Sequence, residues 1–592
     1  MPHSKTHSDD DLQGQATAAL DSGNQSTDQT MNGNAATSTT PSLEKQIPPL
    51  NQNDGQPAQS ATVDSSQDDS LETKVEYPGA LRLLTVITAL VLALLLAVMD
   101  LIILATAIPH ITDEFHSLGD IGWYASAYFV TVAATQSTWG KAFKYFDLKS
   151  VFLITIAIFE LGSLICGVAR NSSTLIVGRA ITGVGAAGII AGCYIIVAFS
   201  VKPERRPAFA SVLAVTYGIG SSIAPVIGGV LADRVSWRWC FFINLPVGAV
   251  SVIIIAFTFK TPAISRNDQD IGQPLKEKVL QMDLPGTLVI VAATVSLLLA
   301  LQWGGVTKSW KSADVIGLII GFVLISILFG AIEYYQGDRA VLVPHIMKKR
   351  VVRVGSLVSF FLGGGEYTLL YYIPIYFQSV LGTSAEQSGV RNLAFIIPVT
   401  LSTVAAGAAV SSTGHFAPLI VFGAAVTTVG SGLMYTWSVY SSANAWIGYQ
   451  VLAGVGIGLC FQTPIMVAQA LSSAEDVAAT TAIVLFFQTL AGAFLVPSAQ
   501  AAFTNILIAR LKVHVPAVDP SAVIAVGATK LREIFTDPVE LAGVIDSYMD
   551  GLRVVFALVA ALCGAATIAS LAMPWTSIKK QKAGVSLGGE VF

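Results

Sequence analysis

Charged residues are scarce in this chain. Only 12% of its 592 residues are Asp, Glu, Lys or Arg, whereas soluble domains carry about 25%. The basic and acidic residues nearly cancel, leaving a net charge of −4. This net charge says little about partners, since the charges lie mostly in loops, but nothing in the composition suggests nucleic acid, and we predict no nucleic-acid partner. The low charge and the 53% hydrophobic content favour a chain that lies in a lipid bilayer.

Cysteine is rare as well, and common catalytic motifs are missing. The five cysteines lie in or beside apolar runs, without metal-ligand spacing or a secreted disulfide pattern, so we expect buried thiols. No G-x4-GK[ST] loop, HExxH helix or GxSxG elbow occurs. These absences argue against direct ATP coupling and leave no visible catalytic centre. We predict that the chain is not an enzyme and that it has neither a cofactor nor a metal site.

What the chain does contain is a polar tail followed by long apolar runs. Residues 1–78 bury too little to offset the entropy of ordering, so they are interpreted as a disordered tail without a cleavable signal peptide. Beyond them, apolar runs of bilayer length recur, which predicts an all-α integral membrane protein with 14 transmembrane helices. We place the spans near 83–107, 121–140, 151–169, 174–198, 208–232, 238–259, 284–302, 314–333, 355–378, 389–411, 417–437, 445–470, 477–505 and 551–575.

Basic residues concentrate in alternate short loops, beginning with Lys141, Lys144 and Lys149 after the second span. The positive-inside rule then predicts two cytoplasmic termini. We expect a multi-pass protein of the cell membrane, with a vacuolar or vesicle membrane as the alternative. Segment 506–550 becomes an outer loop with short surface helices around 522–535 and 538–549. Asn171, in an Asn-Ser-Ser sequon, falls in another outer loop and is a candidate glycosylation site.

The fifth span is crowded with residues that break helices in soluble proteins. Small residues allow another helix to approach closely within a bilayer, and proline fixes a bend. The candidate bend and packing residues are Gly218, Gly220, Pro225, Gly228 and Gly229.

Their G-x6-P-x2-GG pattern resembles the antiporter motif of the drug:proton antiporters in the major facilitator superfamily. The run that follows, Trp-Arg-Trp-Cys-Phe-Phe-Ile-Asn-Leu-Pro at 237–246, resembles the fungal branch with fourteen spans. That branch includes exporters of mycotoxins and other secondary metabolites. The resemblance implies a major-facilitator-type fold of two six-helix halves plus two inserted helices.

An internal repeat points to the same organisation. Arg179-x3-Gly-Val-Gly recurs at Gln450, and Gly220-x4-Pro recurs at Gly492 in the following span. Transporters are commonly built from such repeats, with the substrate site at their interface. The predicted divisions are a tail at 1–78, a half at 79–260, a linker with two helices at 261–340, a half at 341–575 and a tail at 576–592.

Charged residues inside spans are the leading functional candidates, because each costs a few kcal/mol or more at the bilayer centre. Asp100 lies late in the first span and Arg179 early in the fourth, so both fall in the same half of the membrane. An ion pair is expected, with either a coupling or a static structural role. Glu366 lies near the middle of the ninth span, where the resembling family does not generally carry an acid. It is interpreted as a proton or cationic-substrate site, or as a neutral hydrogen-bonded Glu.

These features together predict a proton-coupled efflux transporter. Its expected partners are a small organic molecule (a fungal secondary metabolite, toxin or drug), protons and the lipid bilayer, and we expect it to function as a monomer. Two alternatives stay open: a proton-coupled importer of a small solute or siderophore, and a non-transporting membrane receptor. Composition cannot separate import from export, whereas a receptor would have no need of Asp100 or Glu366.

Overall fold

The computed structural model describes residues 79–115, 121–202, 205–261, 274–526 and 531–578. The tail expected at 1–78 and most of that expected at 576–592 lie outside the described residues.

Fourteen long helices make up most of the described chain, and we number them in order. They are α1 (Ala80–Phe115), α2 (Ile121–Tyr145), α3 (Leu148–Gly167), α4 (Ser172–Ser200), α5 (Arg206–Arg234), α6 (Asn244–Thr258), α7 (Leu284–Trp303), α8 (Ala313–Gln336), α9 (Arg350–Ile375), α10 (Ala385–Thr413), α11 (Ala417–Met434), α12 (Ala443–Cys460), α13 (Val477–His514) and α14 (Pro538–Ser570). Short α-helices occur at Trp239–Phe242, Leu275–Leu280, Pro344–Lys348, Thr463–Ala470, Pro520–Val526 and Leu531–Ile534.

Twelve helical segments in the described part of the chain are long and apolar enough to cross a membrane. The two long helices outside that set are α2 and α9. Both carry polar side chains that point inward: Gln136 and Lys141 of α2 and Glu366 of α9 are each less than 8% exposed. Because these side chains are buried against other helices, α2 and α9 do not need the continuous apolar surface that a lipid-facing span requires. Fourteen spans remains the prediction.

Apolar side chains cover the outside of the molecule as well as its interior. Helix α8 is the clearest case, since Ile320, Leu324 and Ile327 are all more than half exposed. Such a surface is stable in hydrocarbon but not in water, because lipid tails are as apolar as leucine. We conclude that α8 lies at the lipid-facing periphery. It packs mainly against α7, which in turn contacts α2 and α13.

Helix packing repeats itself along the chain. In the first helix set (α1–α6), α4 packs against α2 and α3, and α1 packs against α5 and α6. In the second helix set (α9–α14), α12 packs against α10 and α11, and α9 packs against α13 and α14. The two sets meet where α2 contacts α13 and where α5 contacts α10. Each of the four pairings named within the first set recurs in the second set with both helix numbers raised by eight.

The structure corrects the predicted segment 506–550. Helix α13 continues to His514, and α14 begins at Pro538, so the connection runs only from 515 to 537. Asp537 caps α14 by accepting a hydrogen bond of 3.2 Å from the backbone N–H of Val539. The surface helix expected at 538–549 is instead the start of α14. Its Val544 and Tyr548 are buried, and this burial keeps the helix continuous.

The sixth and twelfth spans are also interrupted, although each was predicted as a single run. The short helix Trp239–Phe242 precedes α6, and the short helix Thr463–Ala470 follows α12. The first break brings Asn244 to the start of α6, where it is buried. The second leaves Phe461 and Gln462 between helices, where they line a cavity.

Candidate functional site

The ion pair expected between Asp100 and Arg179 is present. Nη1 of Arg179 lies 2.5 Å from Oδ2 of Asp100, and both side chains are fully buried. Arg179 Nε also donates to the backbone carbonyl of Tyr124, at 3.0 Å. The pair thus joins α1 to α4 and, through that carbonyl, to α2. A buried ion pair is tolerable only when further hydrogen bonds satisfy its remaining atoms.

Asn244 supplies one of those bonds, and the sequence did not single it out. Its Nδ2 donates to Oδ1 of Asp100 and to Oγ of Ser163, both at 3.1 Å. Asn244 is 1% exposed. Asn244 belongs to the Phe-Phe-Ile-Asn-Leu-Pro run that resembles the fungal branch. Its amide, placed among apolar residues, was the one signal in the sequence that could have indicated a polar contact there. Asp100, Arg179, Asn244 and Ser163, hereafter the polar knot, connect α1, α4, α6 and α3.

Aromatic side chains cover the arginine of the polar knot. The guanidinium carbon of Arg179 lies 4.6 Å from the ring centroid of Tyr128 and 6.0 Å from that of Phe241. Tyr128 is held in place by a 2.9 Å hydrogen bond from its hydroxyl to the carbonyl of Ala97. Cation–π attraction is strongest where water is excluded. Arg179 Nη2 nevertheless has no hydrogen-bond partner within the described structure, so one donor is left available.

The glycines after Arg179 explain how α4 comes so close to its neighbours. A Cβ atom at Gly183 would lie 2.6 Å from the carbonyl oxygen of Tyr128, and one at Gly185 would lie 2.6 Å from Cα of Phe159. Larger residues would separate α4 from α2 and α3. The R-x3-G-x-G pattern thus lets the backbones pack closely enough for Arg179 to reach Asp100 and Tyr124.

A separate cavity lies between the two helix sets. Residues of α5, α9 and α10, together with Phe461 and Gln462, line this cavity, which is partly open. Its wall is largely apolar and aromatic, with Tyr217, Phe395 and Phe461 among the lining residues.

Glu366 lines this cavity. It is 7% exposed, and its Oε2 has no hydrogen-bond partner in the described part of the chain. The three preceding glycines permit the close approach of α9 to its neighbours. A Cβ at Gly363 would lie 2.8 Å from the carbonyl oxygen of Gln488 in α13, and one at Gly365 would lie 2.8 Å from Sγ of Cys563 in α14. The Gly-Gly-Gly-Glu run therefore sets an acid in the cavity wall.

The three charged candidates thus occupy two places. Asp100 and Arg179 lie in the polar knot of the first helix set, whereas Glu366 belongs to the second set and contacts neither. Aromatic residues lie between these two places. Phe129 of α2 packs edge-on against Tyr367 and Tyr371 of α9, with ring centroids 6.3 and 6.4 Å apart.

The glycines of the fifth span do not all serve as packing positions. Gly218 lines the cavity, and a Cβ there would lie 2.5 Å from Oγ1 of Thr400. Gly220 packs against α1, since a Cβ would lie 3.0 Å from Cγ1 of Val98. Gly228 is buried, and its carbonyl accepts from Sγ of Cys240. At Gly229, however, nothing in the described part of the chain lies within 4 Å of an added Cβ, so the close approach expected there is not seen among the described residues.

The other predicted residues lie outside the polar knot, and none is among the described residues that line the cavity. Pro225 lies within α5, but its side chain is outside what the structure describes. Asn171 is exposed and caps α4, where its Oδ1 accepts a 2.8 Å hydrogen bond from the N–H of Thr174. All five cysteines are buried and free. No group of three His, Cys, Asp or Glu side chains among the described residues converges on a metal site.

Comparison with known proteins decides the family. Residues 90–496 match the family model of the Major Facilitator Superfamily, which is well over half of the chain. The chain belongs to the Major Facilitator Superfamily. Members of this superfamily are multi-pass membrane transporters rather than enzymes, so the predicted all-helical, major-facilitator-type fold and the predicted protein class are confirmed.

Fungal transporters are among the curated relatives of this chain. The chain is 58% identical over 504 residues to the MFS-type transporter GME11371 of Pestalotiopsis microspora, covering 85% of this chain and 92% of the relative. It is 44% identical over 516 residues to the probable efflux pump gsfJ of Penicillium aethiopicum, covering 87% and 91%. The solved proton:xylose symporter XylE superposes with a TM-score of 0.55 over 86% of this chain and 99% of its own. At 12% identity, this likeness shows the fold alone.

Proposed function

We propose that this transporter exports small organic molecules, among them a fungal secondary metabolite, toxin or drug, in exchange for protons. The fully buried Asp100–Arg179 pair carries the proposal, because charges within a membrane protein typically mark proton relays or substrate pathways. Several relatives are named efflux pumps, which favours export over the import and receptor alternatives.

Asp100 is the proposed proton acceptor. A proton on its carboxylate removes the charge that holds Nη1 of Arg179, at 2.5 Å, and weakens the hydrogen bond from Asn244. Arg179 must then find another partner, and its Nη2 is already without one. The protonated and deprotonated knots are therefore two distinct arrangements of α1, α4 and α6. Two such states are what alternating access requires.

The substrate is proposed to occupy the cavity between the helix sets. We interpret the sets as the two halves of the transporter, which rock about this cavity while α7 and α8 remain at the side. The packing pattern that recurs with an offset of eight helices supports this division. Gly218 and Gly220 would then be positions where α5 stays close to α10 and α1 during the motion.

The proposal includes the orientation of the chain and the membrane in which it lies. The termini are assigned to the cytoplasm and the protein to the cell membrane, with a vacuolar or vesicle membrane as the alternative. One chain is proposed to be the functional unit.

Efflux of a panel of probes from intact cells tests this function, because the panel covers every charge class of substrate. Yeast lacking its own drug pumps would express the full chain and be loaded with cationic, neutral and anionic fluorescent probes. We expect lower retention of at least one probe than in cells with empty vector, and loss of the difference when a protonophore is added. Probe accumulation above the control level would favour import, and retention equal to the control for every probe would contradict transport of such molecules.

A further inference from the structure

A second acid, Glu160 of α3, lies beside the polar knot. It precedes Ser163 of the knot by three residues, so the two side chains lie on one side of α3, about 4.5 Å apart along its axis. The carboxyl group of Glu160 packs against Gly248 of α6, where an added Cβ would lie 2.6 Å from its Cδ. Asn244 of the knot lies one turn earlier in α6. Glu160 and Gly248 thus form the next turn of the contact that joins Ser163 to Asn244.

The carboxyl group of Glu160 is shielded from solvent but has no partner. Both of its oxygens are buried, and neither has a hydrogen-bond partner in the described part of the chain. Helix α6 contains no titratable side chain. The charges buried among the described residues of α1 and α4 are those of Asp100 and Arg179, which already pair with each other. A buried carboxylate without partners is very costly, so Glu160 carries a proton in this arrangement.

Asp100 is in the opposite protonation state. Its carboxylate is ionised, since it pairs with Arg179 and accepts a hydrogen bond from Asn244. It lies close enough to Glu160 to oppose a second negative charge there. Two acids that repel each other in this way favour holding one proton between them. The structure therefore corresponds to a single proton, located on Glu160.

Glu160 also lies on the cytoplasmic side of the polar knot in the proposed orientation. Lys149, near the start of α3, donates a 2.6 Å hydrogen bond to the carbonyl of Ala256, near the end of α6. These two helix ends therefore meet, and the basic residues after α2 assign them to the cytoplasm. Glu160 is nearer than Ser163 to the start of α3. A proton that moves from the knot to Glu160 thus advances toward the cytoplasm.

We propose that Glu160 is a second proton-carrying acid, which receives the proton from Asp100 and passes it on toward the cytoplasmic ends of α3 and α6. In the transfer, the O–H bond of protonated Asp100 breaks, an O–H bond forms on the carboxylate of Glu160, and the ion pair with Arg179 forms again. The hydroxyl of Ser163 or a water molecule would carry the proton across. The summed charge of the two acids does not change. This inference rests on the proposed proton-coupled transport and adds a residue to it.

Infrared spectroscopy of the purified full-length protein tests the protonation of Glu160 without any transport. The wild-type spectrum minus that of Glu160→Gln at neutral pH should contain the carbonyl band of a protonated carboxylic acid. Glu475 is exposed in the loop before α13, so Glu475→Gln removes an ionised acid, and its difference spectrum should lack that band. Absence of the band for Glu160→Gln would overturn the inference and leave the proposed function standing.

Transport in vesicles then tests the relay, with any probe that the wild type moves. Exchange of labelled for unlabelled probe at equal pH needs no net proton transfer, whereas movement driven by a pH gradient does. Glu160→Gln should therefore slow driven movement at least about tenfold more than exchange, because a positioned proton-transfer group contributes about 100-fold or more. Glu160→Asp keeps a carboxyl group and should recover part of the driven movement. Glu475→Gln should behave like the wild type, and melting temperatures check that each variant is folded.

The outcomes separate this inference from the proposed function. Wild-type driven movement in a folded Glu160→Gln protein would overturn the inference. Equal losses of driven movement and exchange would also overturn it, because they indicate a structural role. A wild-type protein that moves probe without linked proton movement would reject the proposed proton coupling and the relay together, even if the infrared band is present.

Discussion

Asn244 and Arg179 hold opposite oxygens of the same carboxylate. Nδ2 of Asn244 lies 3.1 Å from Oδ1 of Asp100, and Nη1 of Arg179 lies 2.5 Å from Oδ2. The two donors come from α6 and α4, so the charge state of one acid on α1 is felt by two other helices. The switching role proposed for Asp100 would act through these two contacts.

Removing the amide should therefore disturb the polar knot. Asn244→Ala deletes a buried hydrogen bond to a charged group, which is worth about 1.5–3 kcal/mol. We expect a lower melting temperature of the purified protein and weaker efflux. Asn244→Asp, of the same size, should lower the melting temperature further, because it adds a second carboxylate 3.1 Å from the first. A melting temperature equal to wild type in Asn244→Ala would show that the contact contributes nothing.

The contribution of the Asp100–Arg179 charge pair to stability can be measured separately from its role in proton coupling. Asp100→Asn leaves Arg179 as an uncompensated buried charge, and breaking a buried pair in this way costs about 3–5 kcal/mol. The double variant Asp100→Asn with Arg179→Gln removes both charges and should recover much of that stability. Both variants should nevertheless fail to respond to a pH gradient. Gradient-driven transport by the stable double variant would move the coupling role to another residue, with Glu366 as the leading candidate.

Much of this architecture could be predicted from sequence, because membrane spans are long apolar runs. Asp100 and Arg179 could also be predicted from the sequence, because charged residues stand out among apolar ones. Asn244 was missed because a neutral amide costs less in a membrane than a charge, so it gives a weaker signal. The length of α14 was missed because burial of Val544 and Tyr548, rather than local composition, sustains its first turns.

Substitutions at two glycines of α5 should differ in effect. Gly218→Val must push away the hydroxyl of Thr400, which would lie 2.5 Å from the new Cβ, and it also reduces the cavity. We expect lower stability, by about 1–3 kcal/mol for such overpacking, and reduced transport. Gly229→Val is the matched control, since no described atom lies within 4 Å of a Cβ added at that position. Equal losses of melting temperature in the two variants would contradict the packing assigned to Gly218.

Acid should abolish one stabilising contact near the end of α1. The carboxylate of Glu114 accepts hydrogen bonds from Arg238, at 2.9 and 3.0 Å, and from Trp237, at 2.7 Å. The hydrogen bond from Arg238 lowers the pKa of Glu114 and, with help from Trp237, outweighs the opposing effect of partial burial. A lowered carboxyl pKa stabilises the fold above the unfolded value, about 4.3, and this stabilisation is lost as pH falls through the folded value.

The variant Glu114→Gln should then melt slightly below wild type from pH 8 to about 5. The difference should be small, about 1 kcal/mol or less, because the pair is partly exposed. It should shrink as the pH falls below the unfolded value and disappear once the pH lies below the lowered pKa of Glu114, where the wild-type acid is protonated as well. A difference that is unchanged or larger at pH 3 would rule out the charged contact as its source.

Orientation can be read from Asn171. This residue is exposed at the start of α4, and its Oδ1 caps the helix, while glycosylation would use the nitrogen of the same amide. With cytoplasmic termini, Asn171 faces the outside, and we expect glycosidase to increase the gel mobility of wild type but not of Asn171→Gln. Reaction of an N-terminal tag with an impermeant reagent on intact cells would show that the termini lie outside and that the assigned orientation is wrong.

Simultaneous recording of proton and probe movement tests the central claim, proton-coupled export, most directly. Purified wild-type protein would be reconstituted into vesicles with an entrapped pH dye and an imposed pH gradient, and any probe exported from cells would be supplied. The account predicts that probe and protons move in opposite directions, with each flux abolished when the other partner is absent. The Asp100→Asn, Arg179→Gln double variant should show no linked proton movement. Movement of protons and probe in the same direction, or wild-type coupling in that double variant, would contradict the account.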